Sequence, residues 1–303
     1  MAFTAKDVQA VREKTGCGMM DCKKALTETN GDMDAAADFL REKGLASQAK
    51  KSSRIAAEGT VCADTKNGEG VVVELNSETV FDGNGDGFKA LAAEVAEIIA
   101  EQNPADVDAL LKCEKDGQSV EAKVHELFLA IRENIKIRRF ERVEGKVVTY
   151  VHAGGKIGVM VNFDTALDAD NADFVAMGKN VAMQIAAMNP SYLDEASVPA
   201  EVLAKEKEIL IAQMKEDPKM ANKPEAVLGK IVDGKIGKYY KENCLVEQQF
   251  VIDGDLTVGK YVEKTAKELG ADIKIKSFVR FEKGEGIEKR VDDFAAEVAA
   301  MAK

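Results

Sequence analysis

The stretch Glu-Gly-Thr-Val-Cys at 58–62 is repeated 86 residues later as Glu-Gly-Lys-Val-Val at 144–148. The pair Asn103-Pro104 is repeated at the same spacing as Asn189-Pro190. Between these landmarks both segments contain two β-rich runs around a glycine turn, then a polar loop and an amphipathic helical pattern. Because an internal repeat fixes the architecture of a chain, we predict two copies of one αβ subdomain with small antiparallel sheets.

A second repeat spacing indicates that the two copies differ in length. The sequence Asn134 to Ile137 resembles Asp272 to Ile275, which lies 138 residues later, so the second copy is longer by about 52 residues. The extra sequence has apolar positions at helical spacing on either side of a proline-containing turn: Val202, Leu203, Ile209, Leu210, then Leu228, Val232, Ile236 and Tyr239. We therefore predict an inserted antiparallel coiled-coil hairpin at about 192–241. Its apolar seam is expected to meet the core, another protein, or a second copy in a homodimer.

The N-terminal segment, residues 4–44, has the apolar spacing of three short helices. Asp32 is a suitable N-cap for the third of them, which we predict to end at Gly44. The next segment, 45–57, is polar and basic, and we interpret it as a linker or an exposed helix. The chain would thus begin with a three-helix domain and linker at 1–54.

These patterns together predict an α+β protein with four parts. The three-helix domain is followed by a first αβ subdomain at 55–143, a second one at 144–290 that carries the hairpin, and a C-terminal helical module at 291–303. The C-terminal module has one apolar stripe at helical spacing: Val291, Phe294, Ala295, Val298 and Ala302. We expect this helix either to dock on the core or to bind a partner.

Composition restricts the class of function. The net charge of −11 provides no basic footprint for direct binding of nucleic acid. No apolar run reaches the roughly 18–20 residues that span a bilayer, and the N-terminus lacks the apolar segment of a signal peptide, so we expect a cytoplasmic chain with no membrane partner. The five cysteines form no Cys-x-x-Cys pair and the chain has two histidines, which argues against a zinc site and favours reduced thiols.

Sequence motifs for catalysis and for cofactor binding are missing. The chain has no phosphate-binding P-loop, no dinucleotide fingerprint and no nucleophile elbow. We therefore predict no enzyme activity, no catalytic residues, no metal and no cofactor. His152 follows a predicted strand without an identifiable nucleophile, so we assign it a contact or structural role.

One loop, residues 76–88, has an unusual sequence, Asn-Ser-Glu-Thr-Val-Phe-Asp-Gly-Asn-Gly-Asp-Gly-Phe. Its acidic part begins at Asp82 like a calcium-binding EF-hand loop, but the twelfth position is Ala93 instead of glutamate. A calcium-responsive scaffold is therefore the weakest of the alternatives. We interpret the loop as a flexible connection between a strand and a helix, with Phe81 as an exposed anchor for a partner.

The sequence Val11 to Leu26, Val-Arg-Glu-Lys-Thr-Gly-Cys-Gly-Met-Met-Asp-Cys-Lys-Lys-Ala-Leu, resembles the signature of the bacterial translation elongation factor Ts family. Nearly the whole chain shares the resemblance, through Asn30 to Asp32, Asn76 to Thr79, Ile131 to Ile135, His152 with Ile157 to Val159, and Phe281 to Lys289. It implies a ubiquitin-associated (UBA)-like three-helix domain, two similar αβ subdomains, a coiled-coil hairpin and a C-terminal helix. It also implies a guanine nucleotide exchange factor for elongation factor Tu in translation, which would bind both GDP-bound and nucleotide-free Tu.

The resemblance further implies which residues contact elongation factor Tu. In the family a Thr-Asp-Phe-Val segment approaches the magnesium and nucleotide site of the partner, while the N-terminal module and the second subdomain provide further contacts. The matching residues here are Thr79, Val80, Phe81 and Asp82, then Arg12, Met19 and Met20, and finally His152. Valine and aspartate stand in exchanged order in this chain, so the carboxylate comes two residues late. Two functions therefore remain open: an exchange factor, and a Tu-binding chaperone or scaffold with weak exchange.

Overall fold

The computed structural model of the protein describes residues 3–66, 68–216 and 224–288, except for the side chains of Ala46, Phe81, Glu225 and Ala226. The helices are α1 (Ala5–Thr15), α2 (Met19–Glu28), α3 (Met33–Lys51), α4 (Val80–Gly83), α5 (Asp86–Gln102), α6 (Val107–Lys112), α7 (Val120–Ile131), α8 (Ala172–Met188), α9 (Ala200–Glu216), α10 (Glu225–Asn243) and α11 (Val258–Leu269). The strands are β1 (Glu58–Lys66), β2 (Glu69–Ser77), β3 (Glu114–Lys115), β4 (Gln118–Ser119), β5 (Lys136–Glu144), β6 (Lys146–His152), β7 (Ile157–Thr165) and β8 (Ile273–Glu282). Within the described ranges, every helix is too short or too polar to traverse a lipid bilayer.

The internal repeat predicted from the sequence is visible in two antiparallel sheets of the same design. The first has the order β1-β2-β5 and the second the order β6-β7-β8. Each third strand contains a bulge at the same place, next to Glu74 in the first sheet and Asn162 in the second. The following helices, α5 and α8, each have 17 residues and end at an asparagine in the left-handed conformation, Asn103 (φ 46°) and Asn189 (φ 45°). The mixture of helices with small antiparallel sheets confirms the α+β fold class.

The two sheets pack against each other through the faces that do not carry helices. One face of the first sheet packs on α5 and α6, and one face of the second packs on α8 and α11. The opposite faces meet in a separate apolar cluster of Val61, Val72, Val147, Met160 and Phe281. A Cβ atom at Gly70 would collide with Val147, and one at Gly158 would collide with Val61. The close approach of the sheets therefore requires glycine on both middle strands.

A buried carboxylate, Glu74, joins the two sheets. It accepts hydrogen bonds from Arg138 Nη1 (3.1 Å), Arg139 Nε (2.7 Å), Asn76 Nδ2 (3.0 Å) and the backbone N–H of Gly284 (2.7 Å). Burial by itself would raise the pKa of Glu74, but these hydrogen bonds and the arginine charge outweigh it and lower the pKa. Because Gly284 follows the last strand of the second sheet, Glu74 holds the two subdomains to each other.

The three predicted N-terminal helices are present, and Asp32 caps the third by accepting from two backbone N–H groups. The prediction that this helix ends at Gly44 is wrong, since α3 continues to Lys51. Gly44 lies against α7, where a Cβ atom would overlap Leu129 and come within 3.0 Å of His125 Cε1. The glycine therefore permits close contact between two helices and does not end one. Most of the segment interpreted as a linker or an exposed helix belongs to α3 up to Lys51.

The hairpin insertion is bounded by elements that the two copies share. Helix α11 lies 138 residues after α7, so the additional sequence of the second copy lies between Pro190 and Val258. Within it α9 and α10 pack together through Leu210, Met214, Val232 and Ile236. Ile209 is exposed, so the pair Val202 and Ile209 is not part of this seam.

The coiled coil, the homodimer and the four domain boundaries stay predictions, and the C-terminal module at 291–303 lies outside the described residues.

Candidate functional site

The predicted partner-binding segment is a packed helical turn and not the flexible, extended loop expected from its glycines. Thr79 caps α4, because its hydroxyl accepts from the backbone N–H of Asp82 (3.5 Å). Gly83 is buried on β1, where an added Cβ would lie 2.6 Å from the Cα of Gly59. One face of the turn is therefore fixed to the first sheet.

This geometry changes the relation between the two residues at which the chain departs from the Thr-Asp-Phe-Val pattern. In a helical turn, side chains two positions apart point about 200° from each other, whereas an extended loop would have placed them on one side. Val80 is 52% exposed. Asp82 is partly buried, and burial together with the hydrogen bond and charge of Glu133 raises the pKa of its carboxyl group. The carboxylate of Asp82 therefore does not take the outward position at residue 80.

Glu133, which sequence reasoning did not select, holds this segment from the end of α7. Its Oε2 accepts from the backbone N–H groups of Glu78 (3.0 Å) and Thr79 (2.9 Å), and its Oε1 accepts from the Thr79 hydroxyl (2.7 Å). In return Glu78 Oε1 accepts from the backbone N–H of Asn134 (2.7 Å). The only signal in the sequence was the Arg132-Glu133-Asn134 run within the family resemblance, to which no role was attached.

The methionines predicted to contact the partner are linked to the same turn through the residues that follow α7. Met19 and Met20 stand at the start of α2 and are 44% and 75% exposed. The next residue, Asp21, forms an ion pair with Arg132 (3.1 Å), whose neighbour Glu133 binds Thr79. Two successive residues after α7, Arg132 and Glu133, thus connect the helix of the exposed methionines with the α4 turn. Arg12 is exposed on α1, and none of the hydrogen bonds or ion pairs of the described side chains links it to this turn.

His152 lies at the end of β6 and is exposed, with Nδ1 3.0 Å from the Tyr150 hydroxyl. The turn that follows packs on the first sheet, where Gly155 O accepts from the backbone N–H of Val61 (2.8 Å). A groove beside this turn is lined by residues of both copies, among them Asn84 and Ala153. The groove connects the end of the α4 segment with the turn after His152.

Within residues 3–66, 68–216 and 224–288, no three His, Cys, Asp or Glu side chains are arranged to hold a metal ion. The side chain of Phe81, the predicted anchor, lies outside the described part of the chain. What the described residues offer is a surface of exposed apolar side chains on a rigid support, which is suited to binding a protein.

Comparison with known proteins identifies the family. Residues 78–285 match the family model described as "Elongation factor TS". The chain is 46% identical to elongation factor Ts of Syntrophotalea carbinolica over the full length of both proteins. It is 49% identical to elongation factor Ts of Clostridium perfringens over 99% of each chain, and 44% identical to that of Magnetococcus marinus over 99% of each.

The chain belongs to the elongation factor Ts family.

Elongation factor Ts proteins are translation elongation factors, in general the nucleotide exchange factors of elongation factor Tu. The family implies elongation factor Tu as the partner, and the resemblance inferred from the sequence is confirmed. Nucleotide exchange involves no covalent step, so an elongation factor Ts acts through binding energy and not through catalytic residues. The matched range contains the α4 segment, Glu133, β5 and the whole second sheet, while β1 and β2 lie before it.

Proposed function

We propose that this chain releases GDP from elongation factor Tu by binding nucleotide-free Tu more tightly than GDP-bound Tu. Linkage makes the two effects reciprocal: whatever factor separates the two affinities is also the factor by which this chain weakens GDP. The chain therefore needs a surface whose contacts form fully on Tu only after the nucleotide site has been disturbed.

The observation that carries this proposal is the double attachment at Arg132 and Glu133. Arg132 pairs with Asp21 beside the exposed methionines, and Glu133 binds Thr79 beside the exposed Val80. Both apolar contact regions are thus anchored before a partner arrives, which lowers the entropic cost of binding. Exposed methionine and valine are suitable centres for a contact, since methionine adapts its shape to an apolar pocket.

The resemblance implies that the segment 79–82 would lie near the magnesium and phosphate site of Tu. A carboxylate at residue 80 could disturb the shell of the ion by its charge, and Val80 cannot. In this chain we therefore assign GDP release to insertion of the α4 turn and to the binding energy of the surrounding contacts. His152 is assigned to the same surface, on the side of the second subdomain.

Release of labelled GDP from the cognate Tu, measured with and without this chain, tests the proposal. Val80→Ala and Met20→Ala should slow release by about tenfold each, which corresponds to about 1.4 kcal/mol. Met188→Ala is the matched control, because Met188 is also exposed (48%) but lies at the end of α8 in the second copy. Equal rates for all three variants, or no acceleration by the unaltered chain, would contradict the proposal.

The alternative, a Tu-binding chaperone with weak exchange, is favoured by one observation. The outward residue 80 carries no charge, and the nearby carboxylate of Asp82 interacts with Glu133 instead. Binding of nucleotide-free Tu and protection of Tu from thermal aggregation, both without faster GDP release, would establish this function in place of exchange.

A further inference from the structure

We propose that Glu133 is a positioning residue of the exchange surface, which sets the backbone of segment 78–82, and that Asp82 makes this hold depend on a proton. The inference rests on the proposed function for its effect on exchange. Its structural part, the hold of Glu133 on the segment, concerns the free protein alone.

The position of Glu133 follows from the end of α7. Arg132 adopts the left-handed conformation (φ 60°) and ends that helix, which turns the chain toward β5. Asn134 then fixes the turn, since its side chain donates to the backbone carbonyls of Ser52 (3.3 Å) and Arg54 (2.7 Å). The backbone is therefore fixed on both sides of Glu133, and this directs its carboxylate toward the α4 segment.

The hold itself consists of charge-assisted hydrogen bonds. One carboxylate accepts from two consecutive backbone N–H groups, those of Glu78 and Thr79, and from the Thr79 hydroxyl. Bonds to an ionised acceptor are about twice as strong as those between neutral groups. Thr79 in turn caps the turn that carries Val80 and Phe81. The direction in which the turn presents its contact residues therefore depends on the carboxylate of Glu133.

Asp82 brings a second carboxyl group to the same place. When Asp82 is protonated, its hydroxyl can donate to the Glu133 carboxylate, and when it is ionised the two groups repel each other. The nearby cations do not offset this repulsion, because Arg54 pairs with Glu78 (3.4 Å) and Arg132 pairs with Asp21. Further charged groups on the adjoining elements include Glu58 on β1, which pairs with Lys283 (2.7 Å), Asp86 at the start of α5, and Lys51 of α3, which donates to the backbone carbonyl of Arg132.

The hold of Glu133 on segment 78–82 therefore weakens as pH rises. Folding raises the pKa of Asp82 above its usual value of 3.8, so the folded chain binds this proton more tightly than the unfolded chain does. As pH rises and Asp82 loses this proton, its negative charge opposes that of Glu133. A neutral donor at position 82 should therefore hold the segment more firmly at neutral pH and make no difference in acid.

The experiment compares the full chain with Glu133→Gln, Asp82→Asn and the control Glu121→Gln, a substitution of an exposed glutamate at the start of α7. Two quantities are measured for each: the hydrogen-exchange protection of the Glu78 and Thr79 amides in the free protein, and the rate of GDP release from Tu. Thermal melts establish that each variant is folded.

Glu133→Gln should lower both amide protection and the rate of GDP release by about tenfold, the effect of losing one to two charge-assisted hydrogen bonds. Asp82→Asn should raise both about two- to threefold at neutral pH, and the gain should vanish as the pH approaches about 4. The control should match the unaltered chain. If Glu133→Gln fails to fold, Asp82→Asn and its pH profile carry the test.

Normal protection of both amides in Glu133→Gln would overturn the inference, whatever the rate of GDP release, because Glu133 would then not hold the segment. A pH-independent effect of Asp82→Asn would overturn the role of the proton. If the unaltered chain does not accelerate GDP release at all, the proposed function fails, and the amide protection still decides whether Glu133 positions the segment.

Discussion

The two copies of the repeat build the same sheet and helix but connect them differently. In the first copy, residues 78–85 lead from β2 to α5 and form the α4 turn, while in the second copy residues 166–171 lead from β7 to α8 in two residues fewer. The helices that follow are equal in length and end in the same left-handed asparagine conformation. The connection between the middle strand and the following helix can therefore vary without altering the sheet or the helix. A binding segment placed in such a connection costs the fold little stability.

The copies also differ in one buried polar residue at equivalent positions beside the bulge. Glu74 has four hydrogen-bond donors around it, while the Oδ1 atom of Asn162 is buried without a hydrogen-bond partner. In the first copy the bulge residue is Arg138, and a bulge re-aims a side chain, here toward Glu74. The first copy thus carries both the proposed binding segment and the ionic joint between the subdomains.

The largest effect is expected at Glu74. Glu74→Ala should lower the free energy of unfolding by about 3–5 kcal/mol, because Arg138 Nη1, Arg139 Nε and the N–H of Gly284 all donate to this buried carboxylate. Asn162→Ala should cost only about 1 kcal/mol. Urea denaturation of both variants measures the two losses in the free energy of unfolding. Equal losses would mean that Glu74 contributes no more to stability than Asn162 does.

The same variant has a defined dependence on pH. Folding lowers the pKa of Glu74 below its usual value of 4.5, so its stabilising effect is present above that value and is lost as pH falls through the folded pKa. The deficit of Glu74→Ala should therefore shrink in acid. A deficit that stays constant down to about pH 2 would contradict the ionic origin of the joint.

Exchange of the connections is expected to have the next largest effect, and it acts on function. Replacing residues 78–85 by the sequence of 166–171 should leave a folded chain whose rate of GDP release is about 100-fold lower, corresponding to about 2–3 kcal/mol of lost contacts. The reciprocal replacement, 78–85 in place of 166–171, is the control and should keep exchange. Normal exchange by the first chimera would place the active surface elsewhere.

The glycines between the sheets test whether the two copies are equivalent in packing. Gly70→Ala and Gly158→Ala should each cost about 1–3 kcal/mol, since either methyl group would collide with a valine of the other sheet. Gly229→Ala in α10 is the control: its Cβ would meet no atom within 4 Å, and it should stabilise the helix by about 1 kcal/mol. Thermal unfolding that is unequal between the first two variants would show that the sheets do not approach symmetrically.

The smallest effect is expected from Asp82→Asn on global stability. Folding raises the pKa of Asp82, so the chain loses stability as pH rises from 3.8 through the folded value, and the amide removes that loss. The melting temperature should rise by about 1–3 °C at neutral pH and be unchanged in acid. A matching rise after Asp168→Asn, in the corresponding connection of the second copy, would mean that the effect is not specific to Glu133.

The sequence by itself determined the repeat, the order of strands and helix that the two copies share, and the family. The start of α3 after Asp32 follows from the sequence because apolar periodicity and capping residues act within a few positions of the chain. The resemblance likewise located the α4 segment, Met19 and Met20 by local sequence alone.

Only the tertiary structure decided the role of residues whose partners are distant in sequence. Gly44 has the local pattern of a helix end, yet its contact with Leu129 makes it an interior position of α3. Asp82 belongs to a polar loop in the sequence, but burial together with Glu133, 51 residues away, raises the pKa of its carboxyl group. Glu74 and Glu133 look like ordinary solvated acids until the sheets and helices come together, because burial and hydrogen-bond partners are properties of the packed chain and not of the local sequence.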